Sequence, residues 1–128
     1  MSEWTIRLPW TKPPLSLNDR SHWRAKAAAT ASVRIAARAG AIGARNRSFT
    51  PPLWPLERAA VTLTYYPRDR RRRDATNLVA TYKACVDGLV DAGVIPDDTP
   101  QFLVELMPVI AEPDGDPRML LTIREVKP

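Results

Sequence analysis

Soft metal-ligating chemistry is nearly absent from this chain, which has one cysteine, Cys85, and one histidine, His22. A lone thiol forms no intrachain disulfide, so nothing points to secretion. A lone imidazole excludes a histidine-rich metal site and makes His22 a poor basis for catalysis. No apolar run approaches the ~20 residues that span a bilayer, so no membrane partner is expected. The first residues lack the charged-then-apolar pattern of a signal peptide. Internal repeats and low-complexity tails are also missing. These absences lead to an expectation of one globular domain over residues 1–128, in the cytoplasm.

What is present is charge, unevenly spread. Residues 1–73 hold fifteen Lys/Arg against four Asp/Glu, and residues 74–128 hold four against ten. A basic half suggests a polyanionic partner. Ten carboxylates in the other half argue against a protein that merely coats phosphate. The sign changes at Asp74, where four arginines, Arg70, Arg71, Arg72 and Arg73, meet a carboxylate. Guanidinium forks match phosphate oxygens. A carboxylate repels phosphate unless a hard cation such as Mg²⁺ lies between them.

The coarse layout is mixed α and β. Residues 4–8 alternate apolar and polar as a half-buried strand does, and Pro9, Pro13 and Pro14 then force a loop. Asn18 or Ser21 is placed to cap a helix over 22–42, with Ala28, Ala31, Ile35, Ala39 and Ile42 as its apolar stripe. Prolines mark residues 43–57 as an irregular connection. A β-rich run at 60–66 is a second strand. A second helix fits 76–92, with Leu78, Tyr82, Cys85 and Leu89 facing the core and Gly93 as the helix-ending C′ residue. Strands over 102–110 and 119–126 follow, and the Pro- and Gly-containing link between them suggests a hairpin. The expected fold class is α/β (α+β): a small mixed sheet with two helices in the order β-α-β-α-β-β.

Candidate chemistry gathers on the second helix. Helical spacing puts Thr76, Ala80, Lys83 and Asp87 on one face, opposite the core stripe. Asp74 precedes the first turn, and the turn after Gly93 is expected to return Asp97 and Asp98 toward the sheet end of that element. A cation held by Asp74 and an aspartate of that pair would activate water and bind a phosphate oxygen, with Lys83 meeting charge on phosphorus. Each residue also has an ordinary structural use. Asp74 suits a helix N-cap, Lys83 with Asp87 suits an exposed i,i+4 pair, and Asp97–Asp98 suits a turn. The arginine run suits a solvated loop, Cys85 a buried thiol and Trp23 the core.

Taken together, the run Arg70-Arg71-Arg72-Arg73-Asp74-x-x-Asn77-Leu78, then Lys83-Ala84-x-x-Asp87-Gly88-Leu89, Asp91-Ala92-Gly93-Val94 and Asp97-Asp98, resembles the RusA family of Holliday-junction resolvases. The dense part of the match covers residues 67–108. A looser part, Leu17-Asn18-x-x-x-His22-Trp23, lies nearer the start. The resemblance implies a small α/β homodimer that cuts four-way DNA junctions by paired symmetric nicks, using Mg²⁺ or Mn²⁺ as cofactor. It implies Asp74, Lys83 and Asp98 as catalytic residues, with Asp74, Asp98 and Asp97 toward the metal. Arg70, Arg71, Arg72, Arg73 and Asn77 would bind DNA. Lys83 maps less closely than the aspartates, because the spacing from Asn77 to the lysine varies within the family.

One position departs from the pattern. The family reads Asp-x-Asp-Asn, and this chain reads Asp74-Ala75-Thr76-Asn77. A neutral hydroxyl at Thr76 is a weaker ligand for Mg²⁺ than a carboxylate. Two other readings therefore stay open: a junction-binding protein that cuts weakly or not at all, and a protein-interaction domain whose arginines hold an acidic partner.

Overall fold

A computed structural model describes residues 2–15 and 23–127, so the proposed caps Asn18 and Ser21, the histidine His22 and Leu17 lie outside the described residues. Five strands and two long helices follow in the order β1 (Glu3–Arg7), α1 (Trp23–Arg47), β2 (Ala59–Tyr66), α2 (Val79–Ala92), β3 (Leu103–Glu105), β4 (Val109–Ile110) and β5 (Arg118–Glu125). A short 3₁₀ turn, Ala75–Leu78, leads directly into α2. The mixed sheet expected from the sequence is present, in the order β1-β5-β2-β3 with β4 also on β2.

β5 runs antiparallel to both β1 and β2, whereas β3 and β4 run parallel to β2. Parallel neighbours require a long crossover, and α2 supplies it between β2 and β3. The expected hairpin between residues 102–110 and 119–126 is therefore corrected. β5 inserts between β1 and β2, with Leu63 opposite Leu121 and Trp4 opposite Ile123. Its alternate residues Met119, Leu121 and Ile123 are buried, as a central strand covered on one face requires. The strand expected over 102–110 is also interrupted, at Leu106–Pro108, where Pro108 has no N–H to give to a ladder.

The core lies between one sheet face and the helices. Val61, Leu63, Met119 and Leu121 meet Leu78, Tyr82, Cys85, Val86 and Leu89, so the stripe read for α2 is the buried one. Gly93 has φ 87°, and its N–H bonds the carbonyls of Leu89 and Val90, closing the helix as expected. The stripe read for α1 is corrected. Val33, Ala37 and Ala41 are buried, whereas Ala28, Ala31 and Ala39 are exposed, Ile35 is 66% exposed and Ile42 only half-buried. This helix also runs five residues further than expected, to Arg47. Trp23, expected in the core, is 67% exposed.

Gly88 lets α1 and α2 touch backbone to side. A Cβ there would lie 2.3 Å from the Arg34 carbonyl oxygen and 2.9 Å from the Ala37 Cβ. This approach fixes the helix pair, and Arg34 reinforces it with a two-pronged pair to Asp91 (Nη2 to Oδ1, 2.8 Å).

Candidate functional site

The chain reverses its charge in the loop between β2 and α2, and Asp69 organises that loop. Its carboxylate accepts the Arg71 N–H at 3.0 Å and the Arg73 guanidinium at 2.9 Å. Arg73 also donates to the carbonyls of Asp69 (2.8 Å) and Arg71 (2.9 Å) and lies over the Tyr65 ring. With 21% of its side chain exposed, Arg73 braces the loop from within. Arg70 reaches Glu112 at 3.0 Å between two highly exposed side chains, a pair of little energetic weight. Arg71 lies 3.8 Å from Asp69. Arg72 makes no ion pair among the described residues and lines a cleft of about 790 Å³ with Arg73, Asp74, Asn77, Tyr65 and Pro13.

Asp74 N-caps the 3₁₀ turn from extended backbone (φ −108°, ψ 126°), accepting the Thr76 N–H at 3.0 Å. That bond, with contributions from the Thr76 side chain and from nearby Arg72, holds the Asp74 carboxyl below the usual carboxylate range. Capping and cleft-lining thus coexist in one residue. Thr76 serves here as a hydrogen-bond donor to Asp74.

Lys83, on the exposed face of α2, reaches across to Asp98 rather than back to Asp87. The expected return of the chain after Gly93 makes this contact possible, and Asp97 supports it by accepting the Asp98 N–H at 2.8 Å. Lys83 holds the Asp98 carboxyl below its usual range. In return Asp98 raises the Lys83 ammonium, with smaller contributions from Asp87 and Glu105. Lys83, Asp98 and Glu105 line a second cleft of about 500 Å³ with Arg58.

The candidate residues thus form two groups along α2. Arg72, Asp74 and Asn77 share one cleft at its start, while Lys83 and Asp98 share another. Among the described residues no three His, Cys, Asp or Glu side chains converge on one point, so Asp74, Asp97 and Asp98 do not form a preformed cage. The donors suit a less demanding arrangement. Mg²⁺ is commonly held by one or two carboxylates plus phosphate and water, and the Asp98 carboxylate already holds a cation, the Lys83 ammonium. Hard oxygen donors of this kind fit Mg²⁺ or Mn²⁺.

Two residues escaped the sequence reading. Asp69 was masked by the surrounding arginines, although an Asp two residues before Arg71 is an Asx-turn signal. Glu105 comes from β3, and no local pattern links it to Lys83. Cys85 is fully buried, and burial pushes its thiol up to about 12, which removes it as a nucleophile. No helix among the described residues is long and apolar enough to cross a membrane.

No family model matches the chain. It is similar to a Xylella fastidiosa (strain Temecula1) protein described only as uncharacterized, with 32% identity over 94 residues. That alignment covers 73% of this chain, which spans about 60% of the curated relative it matches.

Proposed function

We propose that this chain is a structure-specific DNA endonuclease that cuts four-way junctions with a hard divalent cation, working as a homodimer. The observation that carries this reading is the pairing of Lys83 on α2 with Asp98 beyond it, while Asp74 caps the 3₁₀ turn that leads into the same helix, beside Arg72. It rests also on the resemblance of these residues, in order and spacing, to the resolvase family. A bound cation would supply an acidified water and polarise a phosphate oxygen.

The chain's own groups account for the remaining requirements. Asp98 and Asp74 stay ionised at neutral pH, because hydrogen bonds stabilise their charged forms. Lys83 keeps its proton, so it faces phosphate as a point charge and not as a base. Arg72 offers its guanidinium to a neighbouring phosphate from the Asp74 cleft, while Arg73 holds the loop in shape. Two opposed strands to cut call for two copies, each bringing its own Asp74 and Asp98 clefts.

Thr76 favours a second reading, junction binding with weak cleavage, because Asp74 lacks a second carboxylate beside it. Both readings require junction recognition. In a gel-shift competition in EDTA, the protein is expected to prefer a four-way junction over linear duplex of equal length roughly tenfold, about 1.4 kcal/mol. Equal affinity would remove both readings and favour an acidic protein partner for the arginines.

A further inference from the structure

The nuclease reading leaves the largest basic element unexplained. Helix α1 carries Arg24, Lys26, Arg34, Arg38, Arg45 and Arg47 and no Asp or Glu over its 25 residues. Its outward surface is built largely from exposed alanines, Ala27, Ala28, Ala31 and Ala39. Long cationic side chains thus stand above a low surface that a bulky partner can approach.

We propose that the flank of α1 bearing Arg38 and Arg45 is a second nucleic-acid surface, which follows the phosphate backbone of a duplex arm leaving the cleavage site. This inference rests on the proposed DNA substrate and names where an arm would lie. Arg38 and Arg45 are seven residues apart, two helical turns or about 10.5 Å along one flank. Both are exposed, and neither makes an ion pair among the described residues. The Arg45 guanidinium lies 5.0 Å from the Trp54 ring centroid, which positions it without neutralising it.

The flank also faces the right way. Arg34, one turn before Arg38, is fastened to Asp91. Asp91, Asp87 and Lys83 follow one another at four-residue spacing on α2, and Asp87 acts electrostatically on both Arg34 and Lys83. A continuous charged strip therefore joins the Lys83–Asp98 cleft to the α1 arginines.

Charge selects the occupant. A second copy of α1 would bring cations against cations, with no carboxylate on the helix to receive them. A lipid surface would need large apolar side chains along the buried face, whereas this stripe is mainly methyl groups around Ile35. A phosphate backbone supplies regular negative charge and tolerates a flat, small-residue surface.

The test compares the parent chain, Arg38→Gln/Arg45→Gln and Arg71→Gln/Arg72→Gln for duplex and junction binding in EDTA across a KCl series. The α1 double variant is expected to lower the log–log salt slope by about 1.8, or 0.9 per lost contact, with a melting temperature lower by no more than about 4 °C from the lost Arg45–Trp54 contact. Arg38→Lys/Arg45→Lys, which keeps both charges, should recover most of the slope. An unchanged slope in the α1 variant, with a reduced one for Arg71→Gln/Arg72→Gln, overturns the proposal and leaves the substrate reading standing. Loss of adsorption to phosphatidylserine vesicles with DNA binding intact also overturns it, by assigning the surface to lipid. No DNA binding by the parent removes both.

Discussion

Asp98→Asn is expected to lower junction cleavage at least about a hundredfold while preserving or tightening junction binding. The magnitude is typical of removing one preorganised electrostatic contact at a reacting phosphate or oxyanion. Asparagine keeps the shape of the side chain and its oxygen acceptor, but it loses the charge that holds a cation. It also releases Lys83, whose ammonium then faces DNA without its carboxylate partner. Binding is measured in EDTA and cleavage in Mg²⁺, so the two effects separate. Parallel loss of binding and cleavage would make Asp98 a structural residue.

The same pair gives a pH signature. Lys83 depresses the Asp98 pKa in the folded chain. Its stabilising contribution is therefore present above the ordinary carboxylate value of about 3.9 and lost as pH falls through the lowered one. The Asp98→Asn chain lacks that component, so its melting temperature should fall less steeply than the parent's in this acid window.

The second large effect concerns the scaffold. Gly88→Val is expected to destabilise the chain by about 3 kcal/mol, the upper part of the overpacking range. At this chain length that corresponds to a melting temperature lower by roughly 10 °C. The cause is the contact of α2 with the Arg34 carbonyl and Ala37, neither of which has a flexible end to move aside. Separation of the helices would also loosen Arg34 from Asp91, so the strip between the acidic cleft and α1 should lose order. Calorimetry that finds the variant within 1 °C of the parent would show that the helices part without cost.

The uneven legibility of the fold in the sequence has physical reasons. Helix α2 was legible because Leu78, Tyr82, Cys85 and Leu89 recur once per turn among more polar residues, and Gly93 is placed to close the helix. Helix α1 was not, because alanine occupies nearly every side of it. Its buried face is selected by the fit of Ala37 and Val33 to α2, including a glycine 51 residues beyond Ala37 in the chain. Strand β5 was legible as a strand, but its place depended on non-local pairing with β1 and β2. Helix geometry and the Gly93 turn pointed to a return of Asp97 and Asp98, but not to the pairing of Asp98 with Lys83, and Glu105 entered only through β3. Asp74 takes the capping use suggested for it, and it also lines a cleft that no local pattern indicated. No local pattern showed that Asp69 and two carbonyls hold the Arg73 guanidinium.

The central claim is that this chain hydrolyses phosphodiester bonds at branched DNA. Its most direct test is incubation of the purified protein with an end-labelled four-way junction and with linear duplex of the same sequence, in EDTA, Mg²⁺ or Mn²⁺. The expected result is metal-dependent nicking at symmetric positions on two opposed strands of the junction, with linear duplex left intact. No product with either metal, or equal digestion of junction and duplex, would contradict it.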